Sequence, residues 1–140
     1  MFIDTNILLE ATDRSRAHQK DCQAFLEDII GSTQTAYTSG QVFREYAVVA
    51  TRPIERNGLG LPPESAVQNI DRFRSFLFQL EENIQTTQNL LKLVKQHTLS
   101  GKRIHDAQLV AVMLQNGIET LVTYNPSDFA CFKDIRCKTP

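Results

Sequence analysis

The sequence predicts an α/β fold, a mostly parallel sheet with helices on both faces. Three observations predict it. Short runs with strand character, such as Met1-Phe2-Ile3, Thr35-Ala36-Tyr37-Thr38 and Leu121-Val122-Thr123, alternate with longer stretches whose apolar residues recur at helical spacing. Parallel strands need crossover helices, so this alternation is the pattern such sheets leave in a sequence. Asp4 stands where the first strand should emerge into a helix, and open α/β sheets build their sites at the carboxyl ends of strands. The chain has 140 residues, 41% hydrophobic and 22% charged, which suits one domain over residues 1–140 with a core of its own.

The elements follow in order. Met1 to Ile3 reads as a strand and Thr5 to Ala11 as the turn and start of a helix. From Ser15, the residues Cys22, Phe25, Leu26, Ile29 and Ile30 keep helical spacing until Gly31 ends the run. After the strand at Thr35–Thr38, Thr38 or Ser39 is expected to cap a helix, with Gln41 completing a capping box three residues after Thr38. That helix carries Val42, Phe43, Tyr46, Val49 and Ala50 and stops before Pro53. Residues 57–63 are a loop by composition. Glu64 to Leu80 reads as a helix through Val67, Ile70, Phe73 and Leu77, and another runs from about Thr86 to His97. Ser100-Gly101 breaks it. Ile104, Ala107, Val110, Ala111 and Leu114 mark a further helix, closed by Asn116-Gly117. Glu119 to Thr123 is a strand, Asn125-Pro126 turns the chain, and Phe129 to Cys137 holds one more short strand.

Composition bounds the function. The formal net charge of −1 gives no global basic field of the kind that advertises nucleic acid. Basic residues cluster only locally, at Arg14, Arg16 and Lys20, at Arg44, Arg52 and Arg56, at Arg72 and Arg74, and at Lys102 and Arg103. Three cysteines with no CxxC pair suit a reducing compartment, and no apolar stretch is long enough to span a bilayer. A cytoplasmic protein without a signal peptide is expected.

Most of the sixteen acids fall on helix faces that should meet water. Asp4, Glu45, Asp106 and Asp128 do not. Glu45 lies at the edge of the Val42, Tyr46, Val49 stripe, and Asp106 at the edge of the Ala107, Val110, Leu114 stripe. Asp128 follows the strand at Leu121–Thr123. Four carboxylates converging on one cleft cannot all stay ionised without a cation, and oxygen-only ligands suit Mg²⁺ or Mn²⁺ rather than zinc. Structural roles compete with this. Asp4 would cap the first helix, Asp106 would favour a helix dipole, and Asp128 would cap the turn after Pro126. Rival chemistries are thinly supported. There is no GxSxG, P-loop or GxGxxG, and the three histidines are scattered. A phosphohydrolase using Asp4 as nucleophile would want a second aspartate at position 6, where the chain has Asn.

Taken together, Phe2-Ile3-Asp4-Thr5-Asn6, Glu45 in its amphipathic helix, His105 through Ala111, and Leu121 through Phe129 resemble the PIN-domain family. Within it, the chain is most like the bacterial VapC-like toxins. The resemblance runs from end to end. It implies a Mg²⁺- or Mn²⁺-dependent endoribonuclease on a compact α/β/α sandwich. Asp4 and Asp106 match the family's principal metal-binding aspartates, and Glu45 its central glutamate. Asp128 matches the acid before the Phe of the last motif, with Asn125 as a neutral substitute at the alternative position. Thr5 and Asn6 match polar residues of the first motif, and Thr123 opens the last.

The resemblance also implies an RNA substrate, a homodimer and a cognate antitoxin. Phosphate contacts are expected from Arg14, Arg16, Lys20, Arg44, Lys102 and Arg103. Two alternatives remain: a non-catalytic binding module on the same fold, and the small-molecule phosphohydrolase.

Overall fold

The computed structural model describes residues 1–140. Its elements are β1 (Phe2–Ile3), α1 (Thr5–Thr12), α2 (Gln19–Gly31), β2 (Ala36–Ser39), α3 (Gly40–Thr51), α4 (Pro63–Arg74), β3 (Leu77–Leu80), α5 (Ile84–His97), α6 (Arg103–Gln115), β4 (Thr120–Val122) and β5 (Arg136–Lys138). Short 3-10 turns occupy Ile54–Arg56 and Pro126–Phe129. The strands form one five-stranded sheet in the order β3-β2-β1-β4-β5, and every pairing is parallel. The sheet is that of a PIN-like α/β/α sandwich. From β1 the chain winds outward through β2 to β3, then crosses back to β4 on the other side. That reversal opens a crevice at the carboxyl ends of β1 and β4, the place where such sheets bind ligands.

Strands buried on both faces read as continuous apolar runs. Phe2, Ile3, Leu121 and Val122 accordingly have no exposed surface. They belong to a single core of 32 buried apolar residues. Helix α6 contributes Ala107, Leu109, Val110, Ala111, Val112 and Met113 to that core, so it is covered on almost every side. A helix so enclosed is a rigid support for whatever its first turn carries.

Two expectations need correction. The helix over Glu64–Leu80 ends at Arg74, and Leu77–Leu80 is the edge strand β3. Phe73, Leu77 and Leu80 are spaced as a helix face would be, but Leu77 and Leu80 are the buried ends of a strand whose middle faces out. Pairing decides the matter: Ala36 through Ser39 meet Leu77 through Leu80 residue for residue. Local spacing cannot reveal a partner forty residues away. The capping box at Thr38–Gln41 is also not formed. Ser39 is the N-cap of α3, yet its hydroxyl and that of Thr38 are buried without partners. The Gln41 backbone N–H instead donates to Glu82 Oε1 at 3.1 Å, from just beyond β3.

The loop after α3 is held against it by close approach. A Cβ on Gly58 would stand 2.0 Å from the Arg52 carbonyl oxygen, so only glycine fits there. Tyr46, with no exposed surface, ties three helices together. Its hydroxyl accepts from Asn69 Nδ2 of α4 at 2.9 Å and shares a hydrogen bond with Thr12 Oγ1 of α1 at 3.0 Å. Tyr46→Phe would remove one hydrogen-bond partner from each of these part-buried side chains. We expect a loss of roughly 1–2 kcal/mol in urea denaturation. An unchanged midpoint would mean that this bridge contributes nothing.

Candidate active site

Asp4 ends β1 and serves as the N-cap of α1, in extended conformation. Its position follows from the sheet, because its backbone N–H continues the β1–β4 ladder by donating to the Val122 carbonyl at 3.1 Å. The carboxylate is 7% exposed and well supplied with donors. Oδ1 accepts from the Thr5 backbone N–H at 2.6 Å. Oδ2 accepts from Thr123 Oγ1 at 2.6 Å and Asn6 Nδ2 at 2.7 Å. Asn6 also donates to Thr123 Oγ1 and accepts from the Tyr124 backbone N–H at 3.2 Å. The Asn125 backbone N–H donates to Thr123 Oγ1 at 3.0 Å. Asn6 and Thr123 therefore stitch the ends of β1 and β4 together around one carboxylate.

Glu45, half-buried on α3, is held from both sides. Thr5 Oγ1 donates to its Oε2 at 2.9 Å, and Gln41 Nε2 donates to its Oε1 at 2.6 Å. Asp106 projects from the first turn of α6 and is half-buried, while Asp128 is exposed in the turn after β4.

Charge couples these four acids. Burial raises the Asp4 carboxyl to about 6; bonds from Thr123 and the Thr5 N–H oppose the rise, and the charges of Glu45 and Asp106 add to it. Asp106 is raised too, by burial first and then by Asp128 and Glu45, against the opposing charges of His105 and Arg103. None of the four takes part in an ion pair. Mutual repulsion without a cationic partner is what a cation site requires.

The fit to a metal can be judged from this donor set. No three Asp, Glu, His or Cys side chains stand together at ligating distance. Mg²⁺ does not demand that, since it retains several waters and binds through one or two carboxylates. The donors are hard oxygens, with Asp4 and Asp106 most strongly frustrated, so the set fits Mg²⁺ or Mn²⁺.

Thr5, Glu45 and Asp106 open onto a cleft of about 500 Å³. Its rim carries Arg44, Arg52, Lys102 and His105, with Val48 and Val49 between them. Of the basic residues expected at phosphates, Arg44 and Lys102 are at this cleft. Arg103 donates to Cys131 Sγ at 3.2 Å and acts on Asp106 through its charge. Arg14 and Lys20 are exposed between and at the start of α1 and α2. Arg16 does not fit the expectation of a free phosphate contact. Its guanidinium lies 3.0 Å from Glu10 and 3.7 Å from Asp13, so it is already paired within the chain.

Sequence reasoning missed two participants. Arg52 follows Glu45 by seven residues, two helical turns, with Val48 and Val49 between on the same face. That periodicity was a usable signal. Gln41, read only as a cap, proves to be a side-chain partner of Glu45; their four-residue spacing on one helix was a usable signal, whereas its bond to the His105 carbonyl is revealed only by the fold.

The raised Asp4 carboxyl makes stability depend on pH. Its folded value of about 6 lies above the ordinary 3.8, so folding favours the protonated form. The stability it gives when protonated is complete below the ordinary value and is lost as pH rises through 6. Protein kept free of divalent cations should therefore gain roughly 1 kcal/mol from Asp4 between pH 7 and pH 5. Asp4→Asn should shrink that gain in urea denaturation with chelator present. The same gain in the variant would place its source elsewhere.

Comparison with known proteins agrees with the geometry. The model of the PIN domain matches residues 1–134. Ribonuclease VapC48 of Mycobacterium tuberculosis is 29% identical over 139 residues, covering 98% of this chain and 94% of the relative. Ribonuclease VapC24 of the same organism is 27% identical over 137 residues, covering 94% and 90%. Among solved structures, the sarcin-ricin loop cleaving toxin VapC20 of Mycobacterium tuberculosis superposes with a TM-score of 0.72 at 15% identity, covering 94% of each chain. VapBC2 of Rickettsia felis, bound to a DNA fragment from its promoter, gives 0.70 at 17% identity, covering 99% of this chain and 97% of that one. The structural likenesses carry the fold, and the family match spans nearly the whole sequence. The chain belongs to the PIN-domain family.

Proposed function

We propose that the chain is a divalent-metal-dependent endoribonuclease, the toxin of a VapBC-type pair, which hydrolyses RNA phosphodiesters with water as nucleophile. The observation that carries the reading is a pair of aspartates, Asp4 and Asp106, whose carboxyls are raised by burial and then by neighbouring carboxylate charge, beside a cleft lined by Glu45, Asp106 and basic side chains. The ribonuclease names of VapC48 and VapC24 support it.

The residues divide the work by their chemistry. Asp4 and Asp106 would hold Mg²⁺ or Mn²⁺, with Glu45 and Asp128 as further acids of the metal site and Asn125 as a neutral residue at the alternative position. When bound, the ion supplies positive charge against the phosphodiester and acidifies water. Thr5, Asn6 and Thr123 fix Asp4 by hydrogen bonds, so the acid does not reorganise during the reaction. Arg44, Arg52 and Lys102 neutralise backbone phosphates entering the cleft. Water attack in line would leave a 5′-phosphate and a 3′-hydroxyl. Specificity rests on RNA shape and unpaired bases.

Asn6, which donates to Asp4 where a phosphohydrolase would want a second aspartate, argues against Asp4 as an attacking nucleophile. A non-catalytic module would have no use for the repulsion at the site. The proposal extends to partners. Structures of VapBC from Rickettsia felis, Haemophilus influenzae and Salmonella typhimurium share the fold and support an antitoxin as partner. Exposed Val67 on α4 and Leu91 on α5 offer apolar surface for a homodimer.

Total cellular RNA incubated with the purified chain and Mn²⁺ should yield discrete fragments, and chelator should abolish them. Asp4→Asn and Asp106→Asn should each lower cleavage by about 100-fold or more while leaving the circular dichroism spectrum unchanged. Wild-type levels of cleavage by both variants would sink the reading.

Binding of RNA should weaken as salt rises. Arg52→Ala and Lys102→Ala should each reduce the slope of log affinity against log salt by about 0.7, the amount for one single-strand phosphate contact. An unchanged slope would remove that residue from the phosphate path.

A further inference from the structure

We propose that Gln41 is a positioning residue of the nuclease reaction: its buried amide clamps the Glu45 carboxylate and ties α3 to the peptide immediately before Asp106. The inference deepens the reading above and rests on it.

The geometry is specific. Gln41 is 1% exposed, one helical turn before Glu45. Its Nε2 donates at 2.6 Å to Glu45 Oε1 and at 3.0 Å to the His105 carbonyl oxygen. Both partners are acceptors, so the amide has only one sensible orientation, with NH₂ toward them. The backbone of the same residue is pinned as well. Its N–H donates to Glu82, whose other oxygen accepts from Gln108 Nε2 on α6 at 2.8 Å. Gln41 thus connects the helix bearing Glu45 with the helix bearing Asp106 in two ways.

The remaining amide oxygen, Oε1, is buried with no partner within the chain. The two donor bonds, one to an acid and one to the peptide before another, are what an apolar side chain of similar shape would lack. A residue held where two acid-bearing helices meet acts through the acids it places. It is not among the residues lining the cleft, so it does not touch RNA itself. Its effect must pass through Glu45 and Asp106.

The test uses Gln41→Met, which preserves volume but removes both donors. A second variant, Gln41→Asn, keeps an amide that is one methylene too short. Three quantities are read on the full chain: kcat and KM for RNA cleavage, the Mn²⁺ affinity of RNA-free protein by electron paramagnetic resonance, and the melting temperature. Both variants should lose about 10- to 100-fold in kcat with KM unchanged, and bind Mn²⁺ about tenfold more weakly. Gln41→Met leaves Glu45 Oε1 and the His105 carbonyl without their donor and is expected to melt below wild type, so kcat and Mn²⁺ affinity are read at a temperature where all three proteins are folded. Wild-type kcat and Mn²⁺ affinity in the variants, beside an active wild type, would overturn the role of Gln41 alone. Reduced kcat with wild-type Mn²⁺ affinity, in step with lowered melting in both variants, would also overturn it, as a purely structural effect. A wild-type chain that cleaves no RNA would overturn this inference and the ribonuclease reading together.

Discussion

A carboxylate buried at the end of the central strand governs this structure. Asp4 has almost no access to water, so its charge must be met by donors or by a cation. Two donors are local, the Thr5 backbone N–H and Asn6 in the first turn of α1, and the third, Thr123 just after β4, lies 119 residues away. Forming the Thr123 bond requires β1 and β4 to be neighbours. The sheet order and the site are consequently two aspects of one arrangement.

Glu45 and Asp106 extend the same logic outward. Each comes from a helix whose apolar stripe is fixed in the core, so each acid is delivered to the cleft by packing rather than by local preference. Helix α6 is the clearest case, because its burial on nearly every side leaves Asp106 in the first turn little freedom. Burial, and after it the charge of neighbouring carboxylates, raises the proton affinity of Asp4 and Asp106, and neither stands in an ion pair. Arg44, Arg52, Lys102 and His105 line the same cleft as Glu45 and Asp106, which gives a polyanion cationic partners beside the acids.

Much of this was legible in the sequence. The five strands, except for β3, and the helices around the site follow from periodicity and breakers. The four motifs in order were enough to place the chain in its family. Glu45 and Asp106 stood out because they interrupt the edges of apolar stripes. The edge strand β3 was read as a helix because Phe73, Leu77 and Leu80 satisfy a helical spacing, and only their pairing with β2 says otherwise. Arg16 looked like its neighbours Arg14 and Lys20 but is occupied by Glu10 and Asp13. Arg52 could have been found from its two-turn separation from Glu45.

By itself, the sequence determined which segments are strands or helices wherever the apolar period is unambiguous, and which acids are out of place for a solvated surface. These are properties of neighbouring residues, and short-range geometry encodes them. The tertiary structure alone decided who meets whom: that Thr123 completes the Asp4 cradle, that Glu82 rather than Ser39 meets the first turn of α3, and that Gln41 joins Glu45 to the peptide before Asp106. Such bonds span 41 to 119 residues, apart from the Gln41–Glu45 turn, and they exist only once the core has brought the helices and strand ends together. A hydrogen bond between distant residues leaves no period in a sequence, so packing had to supply it.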